Sequence, residues 1–168
     1  MFGISWRKPL WDIDGASWAP HPGNRRFAIW NGGTSSPADD VVLDRETRLV
    51  WERSPSTDQR TFDAAVVYST TRLLAQRKGW RLPALEELLS LVDLTTASPT
   101  LPAGHPFLNV QLDNFYWSMS QGIPVSNNPH LVWGYNFGNG DTASVVASGA
   151  KTCCAWLVRG GYGHNYPR

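Results

Sequence analysis

The stretch GWRLPALEELLSLVD, residues 79–93, decides the fold. Leu85, Leu88, Leu89 and Val92 recur at helical spacing, so a helix with one apolar face is expected here. Pro83 opens it, because the N–H that proline lacks has no intrahelical partner in a first turn. Glu86 and Glu87 follow where the helix dipole favours negative charge. Leu85, Leu88 and Leu89 are all expected to point into the core.

Upstream, Phe62, Ala65, Val66, Ser69 and Leu73 fall on one face of a second helical pattern over residues 61–76, with Gly79 as its stop. Before it, residues 41–43 and 49–52 read as a hairpin around 45–48, and residues 26–30 as a short strand followed by a turn-rich loop over 32–39. Downstream, residues 97–114 form a long loop with three prolines. Strands are expected at 115–119, 131–137 and 155–159, with a weaker one at 143–146. Two helices followed by short antiparallel strands make an α+β domain. Residues 1–40 are a Trp/Gly/Pro-rich segment packed on that domain, residues 41–161 the domain itself, and residues 162–168 a tail.

A chain of 168 residues fits one domain with a substantial core. Its 17% charged and 12% aromatic residues are a globular composition. Nine tryptophans read first as core residues of a small loop-rich fold, since each indole contributes a large apolar area; exposed sugar-stacking platforms are the alternative. Residues 1–83 carry twelve Lys/Arg against nine Asp/Glu, and residues 84–168 three against five. No basic stripe with a matching motif points to nucleic acid. Arg25, Arg26, Arg77 and Lys78 form a local basic group suited to a sulfated glycan, or simply a solvated surface. Residues 1–30 lack the apolar run of a signal peptide, and no stretch reaches transmembrane length.

Four signatures stand in fixed order: DRETRLVWE (44–52), GWRLPALEELLSLVD (79–93), YWS (116–118) and WLVRGG (156–161), with VWGYNFGNGD (132–141) between the last two. Together they resemble the bacterial family named for the C-terminal domain of the collagen-like lectin Lcl, over roughly residues 41–161. The resemblance implies a C-type-lectin-like fold, a distant similarity to formylglycine-generating enzymes, glycan ligands that include sulfated ones, an adhesion role and a secreted or cell-surface location. The domain that typifies the family forms a trimer, so the resemblance implies a homo-oligomer, although nothing in this sequence specifies one.

The family pattern also marks departures. Relatives have glycine at the position of Arg48; if that site needs a positive φ, arginine costs roughly 1 kcal/mol, so a different turn is expected. Relatives have threonine at the position of Ala84, a capping hydroxyl paired with Glu87; its loss costs about 1 kcal/mol unless another group caps the helix. By the resemblance, many relatives carry one cysteine in the first helix and one just before VRGG, at positions that match Ser69 and Leu157. Both are missing here, which implies a fold independent of that disulfide.

Cys153 and Cys154 are adjacent, so a bridge between them is geometrically unattractive. On a strand they point to opposite faces and do not converge on one metal, with one expected buried and one partly exposed. The related oxidases bind copper through two cysteines, which keeps a copper-dependent oxidase as an alternative function. Arg81 and Arg159 read as structural arginines bonding loop carbonyls, with a buried carboxylate as a plausible partner for Arg159. Trp117 and Trp156 read as core. His21, His105, His130 and His164 show no metal spacing, and neither hydrolase nor nucleotide-binding motifs occur. Asp12 and Asp14 form a lone acidic pair.

Residues 126–141 concentrate Asn127, Asn128, His130, Trp133, Tyr135, Asn136, Asn139 and Asp141. Amide and carboxylate groups hydrogen-bond sugar hydroxyls or ligate calcium, and aromatic faces stack on sugars; a turn-rich connection would need the same Asn and Gly residues. The tail 162–168 adds Tyr, His and Asn. The expected reading is a non-enzymatic glycan-recognition module with Tyr135, Asn136, Asn139 and Asp141 as its site. It has no membrane span, no nucleic-acid partner and no required cofactor, calcium being the one candidate. Protein binding on the same surface is the alternative. Alternation along the strand leaves one condition: if Trp133 and Phe137 face the core, Tyr135 follows them and the site shrinks to Asn136, Asn139 and Asp141.

Overall fold

The computed structural model describes residues 19–123 and 130–160. Asp12, Asp14, Asn127, Asn128, His164 and the tail lie outside them. The described residues form an α+β domain with two five-stranded sheets. The first runs β1 (Ala19–Pro20), β2 (Phe27–Trp30), β3 (Val41–Asp44), β4 (Val50–Glu52) and β10 (Val158–Arg159), antiparallel throughout. The second has the order β5 (Ser56–Arg60), β9 (Cys153–Ala155), β6 (Tyr116–Gln121), β7 (Leu131–Tyr135) and β8 (Thr142–Val146), with β6 and β9 parallel. No helix among the described residues is long and apolar enough to cross a membrane.

The strand expected over 155–159 is two strands. β9 belongs to the second sheet and β10 to the first, so Trp156 and Leu157 cross the seam between them. Both are fully buried. Trp156 Nε1 donates to the Glu52 carbonyl at 2.8 Å, and the Glu52 N–H donates to the Leu157 carbonyl at 2.9 Å, tying the crossover to β4. β5 (STDQR) escaped the sequence reading because it has no apolar alternation; pairing with β9 makes it a strand.

α1 spans Phe62–Thr71, capped by the Thr61 hydroxyl, which accepts from Ala64 N at 3.4 Å. It ends five residues before the expected boundary. The backbone becomes extended at Arg72, and a tight turn follows in which Leu74 and Arg77 exchange both backbone hydrogen bonds, with Ala75 and Gln76 at positive φ. Leaving the helix shifts the phase. Leu74 is therefore fully buried while Leu73, expected on the inner face, is 55% exposed.

α2 (Leu85–Ser90) buries Leu88 completely, with Leu85 and Val92 half-buried. Leu89 is 40% exposed, so the expectation that it points inward is corrected: Leu91 takes the second inner position. Ala84 cannot accept a bond, but the Ser120 hydroxyl on β6 accepts from Leu85 N at 2.9 Å and Glu87 still accepts from Ala84 N at 2.8 Å. The missing threonine is compensated across the sheet. Arg48, by contrast, takes the left-handed conformation at φ 60°, so it carries a strain that glycine would not.

Two apolar clusters fill the interior. One gathers Trp80, Trp117, Phe62 and Leu157; the other Trp51, Trp156, Tyr116 and Phe137. Trp51 and Phe107 meet Trp156 edge-on at 5.8 and 4.9 Å. Trp51, Trp80, Trp117 and Trp156 are thus core, whereas Trp30 and Trp133 are half-buried. Cys153 joins the first cluster and Cys154 the second, on opposite faces of β9. Both are free and buried, which corrects the expectation that one would be partly exposed. Ser69 and Leu157 are buried as well.

Candidate functional site

The connection from β7 to β8 carries the predicted site. Both flanking strands pair in register, Tyr135 opposite Thr142 and Trp133 opposite Ser144. Tyr135 is buried: its ring meets Phe137 at 4.7 Å and its hydroxyl lies 3.1 Å from the Thr100 hydroxyl. Thr100 in turn donates its N–H to the Phe137 carbonyl at 2.8 Å, fastening the long loop to this hairpin. Trp133 is half-buried, Phe137 fully so.

Asn136 is also buried, and its role is internal. Its Oδ1 accepts from Gly138 N at 2.7 Å, its carbonyl from Gly140 N at 2.9 Å, and its N–H donates to the Asp141 carbonyl at 2.9 Å. Gly138 is packed so closely that a Cβ there would clash with the Leu112 carbonyl, and Gly140 has φ +80°. The tip beyond this anchor is exposed. Asn139 Nδ2 donates to Asp141 Oδ2 at 2.6 Å, and Asn139 Oδ1 accepts from Asp141 N at 3.1 Å. The turn therefore orients Asn139 and Asp141 against each other while leaving the second carboxylate oxygen and one amide hydrogen without a partner in the turn. Of the four residues expected in the site, Tyr135 and Asn136 are buried in the base of the turn, and Asn139 and Asp141 are exposed at its tip.

The arginines sort differently. Arg81 grips Glu87 through two bonds of 2.6 Å and donates to the Gly160 carbonyl at 2.9 Å, the structural role expected of it. Arg26 holds Asp44 at 2.9 and 2.6 Å and the Ser90 carbonyl at 2.6 Å, so it is occupied within the fold rather than available to a ligand. Arg159 has no carboxylate partner among the described residues; burial, then the neighbouring charge of Arg77, pulls its pKa below the usual arginine value. Sequence reading missed this Arg77–Arg159 proximity, which only the 74–77 turn creates.

Burial pushes the thiols of Cys153 and Cys154 up to about 11, so both are neutral near pH 7. Facing opposite clusters, they do not fit a shared copper ion. Among the described residues no group of three or more His, Cys, Asp or Glu could hold a metal ion.

No characterised protein and no solved structure matches the chain. A family model does, over residues 40–159, a span that runs from the start of β3 to β10 and includes both helices and the β7–β8 hairpin. The chain belongs to the family of the Lcl C-terminal domain.

Proposed function

We propose that this domain is a non-enzymatic recognition module of C-type-lectin-like type that binds glycans, with Asn139 and Asp141 as the contacting groups. Family membership supports a lectin-like, ligand-binding module. The observation that carries the finer reading is the construction of the β7–β8 turn. Buried Tyr135, Asn136 and Phe137 fix its base, while its only exposed side-chain amide and carboxylate are held 2.6 Å apart at the tip. Such a pair offers a donor and an acceptor at fixed spacing, which suits vicinal sugar hydroxyls, and rigidity lowers the entropy lost on binding. Sulfated glycans would draw in addition on Arg25 and Lys78, both exposed.

The test is a glycan array that includes sulfated glycosaminoglycans, run in calcium and again in chelator, with heparin chromatography beside it. Retention of at least one glycan class in both arms is expected. Retention in calcium alone would make calcium the cofactor, and no retention in either arm would leave protein binding as the function. Stoichiometric copper binding, abolished by Cys153→Ser or Cys154→Ser, would revive the oxidase reading.

A further inference from the structure

Among the described residues four carboxylates are buried, and three are gripped. Arg26 holds Asp44, Arg53 holds Asp40 and Arg81 holds Glu87, each with a bond of 2.6 or 2.7 Å. Glu52 is the exception. It is fully buried, yet its nearest polar contacts are Leu157 N at 3.4 Å, the Tyr68 hydroxyl at 3.5 Å and Arg72 Nε at 3.7 Å. Arg72 Nε is itself buried without a hydrogen-bond partner. A carboxylate taken from water needs short, well-aligned bonds to offset its lost hydration, and these contacts are too long to do so.

Its position gives the mismatch a consequence. Glu52 closes β4, Leu157 is the crossover between the two sheets, and Tyr68 and Arg72 are the last turn and C-cap of α1. One carboxyl group thus faces three elements at their junction. We infer that Glu52 is a proton-operated latch, closed when its carboxyl is neutral and loosened at the α1 end when it ionises.

The charge environment agrees. Burial raises the Glu52 pKa to about 7, against lowering by Arg72, Leu157 N–H, Tyr68 and Arg60, in that order. From β6, Tyr116 also feels the Glu52 charge. The unfolded chain titrates at the ordinary 4.5, so the native state binds the extra proton between 4.5 and about 7. The stabilisation is therefore complete below the lower value and is lost as pH rises through the upper one.

The test compares wild type with Glu52→Gln, which keeps the shape of the neutral form. Between pH 5.5 and 8.5 the Tm of wild type should fall by at least about 3 °C relative to that of the variant. Amide exchange at residues 69–74, corrected for the intrinsic effect of pH, should quicken in wild type alone. Carbon-13 titration of the glutamate carboxyls in wild type should show one midpoint near 7, a reading that stands even if the variant does not fold. Parallel pH profiles, a carboxyl midpoint near 4.5, or a midpoint near 7 with unchanged exchange at the α1 end would each overturn the latch.

Discussion

The interior of this domain and the tip of its β7–β8 hairpin use the same kinds of polar residue in opposite ways. Inside, Asp44 meets Arg26, the Thr47 hydroxyl at 2.8 Å and the Glu46 N–H at 3.0 Å, and that single carboxylate ties β2 to the β3–β4 turn. At the tip, the side chains of Asn139 and Asp141 bond within the turn itself and face solvent. The difference teaches where each side chain's free energy goes: interior groups hold separate strands together, while the tip pair holds only its own orientation. Losing the first should unfold; losing the second should not.

The comparison breaks first at Arg26. Arg26→Ala leaves Asp44 buried without its counter-ion, and removing one partner of such a pair costs about 3–5 kcal/mol, so urea unfolding should show a loss of that size. A loss below about 1 kcal/mol would mean that Asp44 is solvated in solution and that the interior is looser than described. Leu88→Ala should come next, at roughly 2–4 kcal/mol for a cavity under α2, while Leu89→Ala on the outer side of the same helix should stay within about 0.5 kcal/mol.

Asn136 sharpens the boundary between the two regions. It stands three residues before the exposed tip, but its side chain accepts the Gly138 N–H inside the fold. Asn136→Ala should cost about 1–2 kcal/mol by orphaning that donor, placing it with the interior. The smallest effect on stability belongs to Arg48, held at φ 60°. Arg48→Gly should raise stability by about 1 kcal/mol, visible as a higher urea midpoint with unchanged slope.

How much of this was legible in the sequence follows the same division. Periodicity located both helices, the β3–β4 hairpin and the strands that carry Trp117 and Trp133, because those elements bury one patterned face. Periodicity failed where tertiary contacts overrode it. The helical pattern through Leu73 continues past the real end of α1, since nothing local announces a turn at Ala75 and Gln76. β5 is a strand only because β9 lies beside it. The split of 153–159 between two sheets is invisible locally, as both halves are apolar. Motif order identified the family, whereas Tyr135, read as a site residue, is buried; alternation along β7 offered its inward turn only as a condition on Trp133 and Phe137. It could not tell that Asn136 is spent on the turn, which depends on the packing of Gly138 against residue 112.

The separation of scaffold from display is tested most directly by the double variant Asn139→Ala/Asp141→Ala, with affinity for the glycan that the array retains best measured beside Tm. Affinity should fall at least about tenfold, the loss of roughly 1.4 kcal/mol of contacts, while Tm stays within about 2 °C of wild type. Unchanged affinity in a folded double variant would contradict the account and move the site off the hairpin.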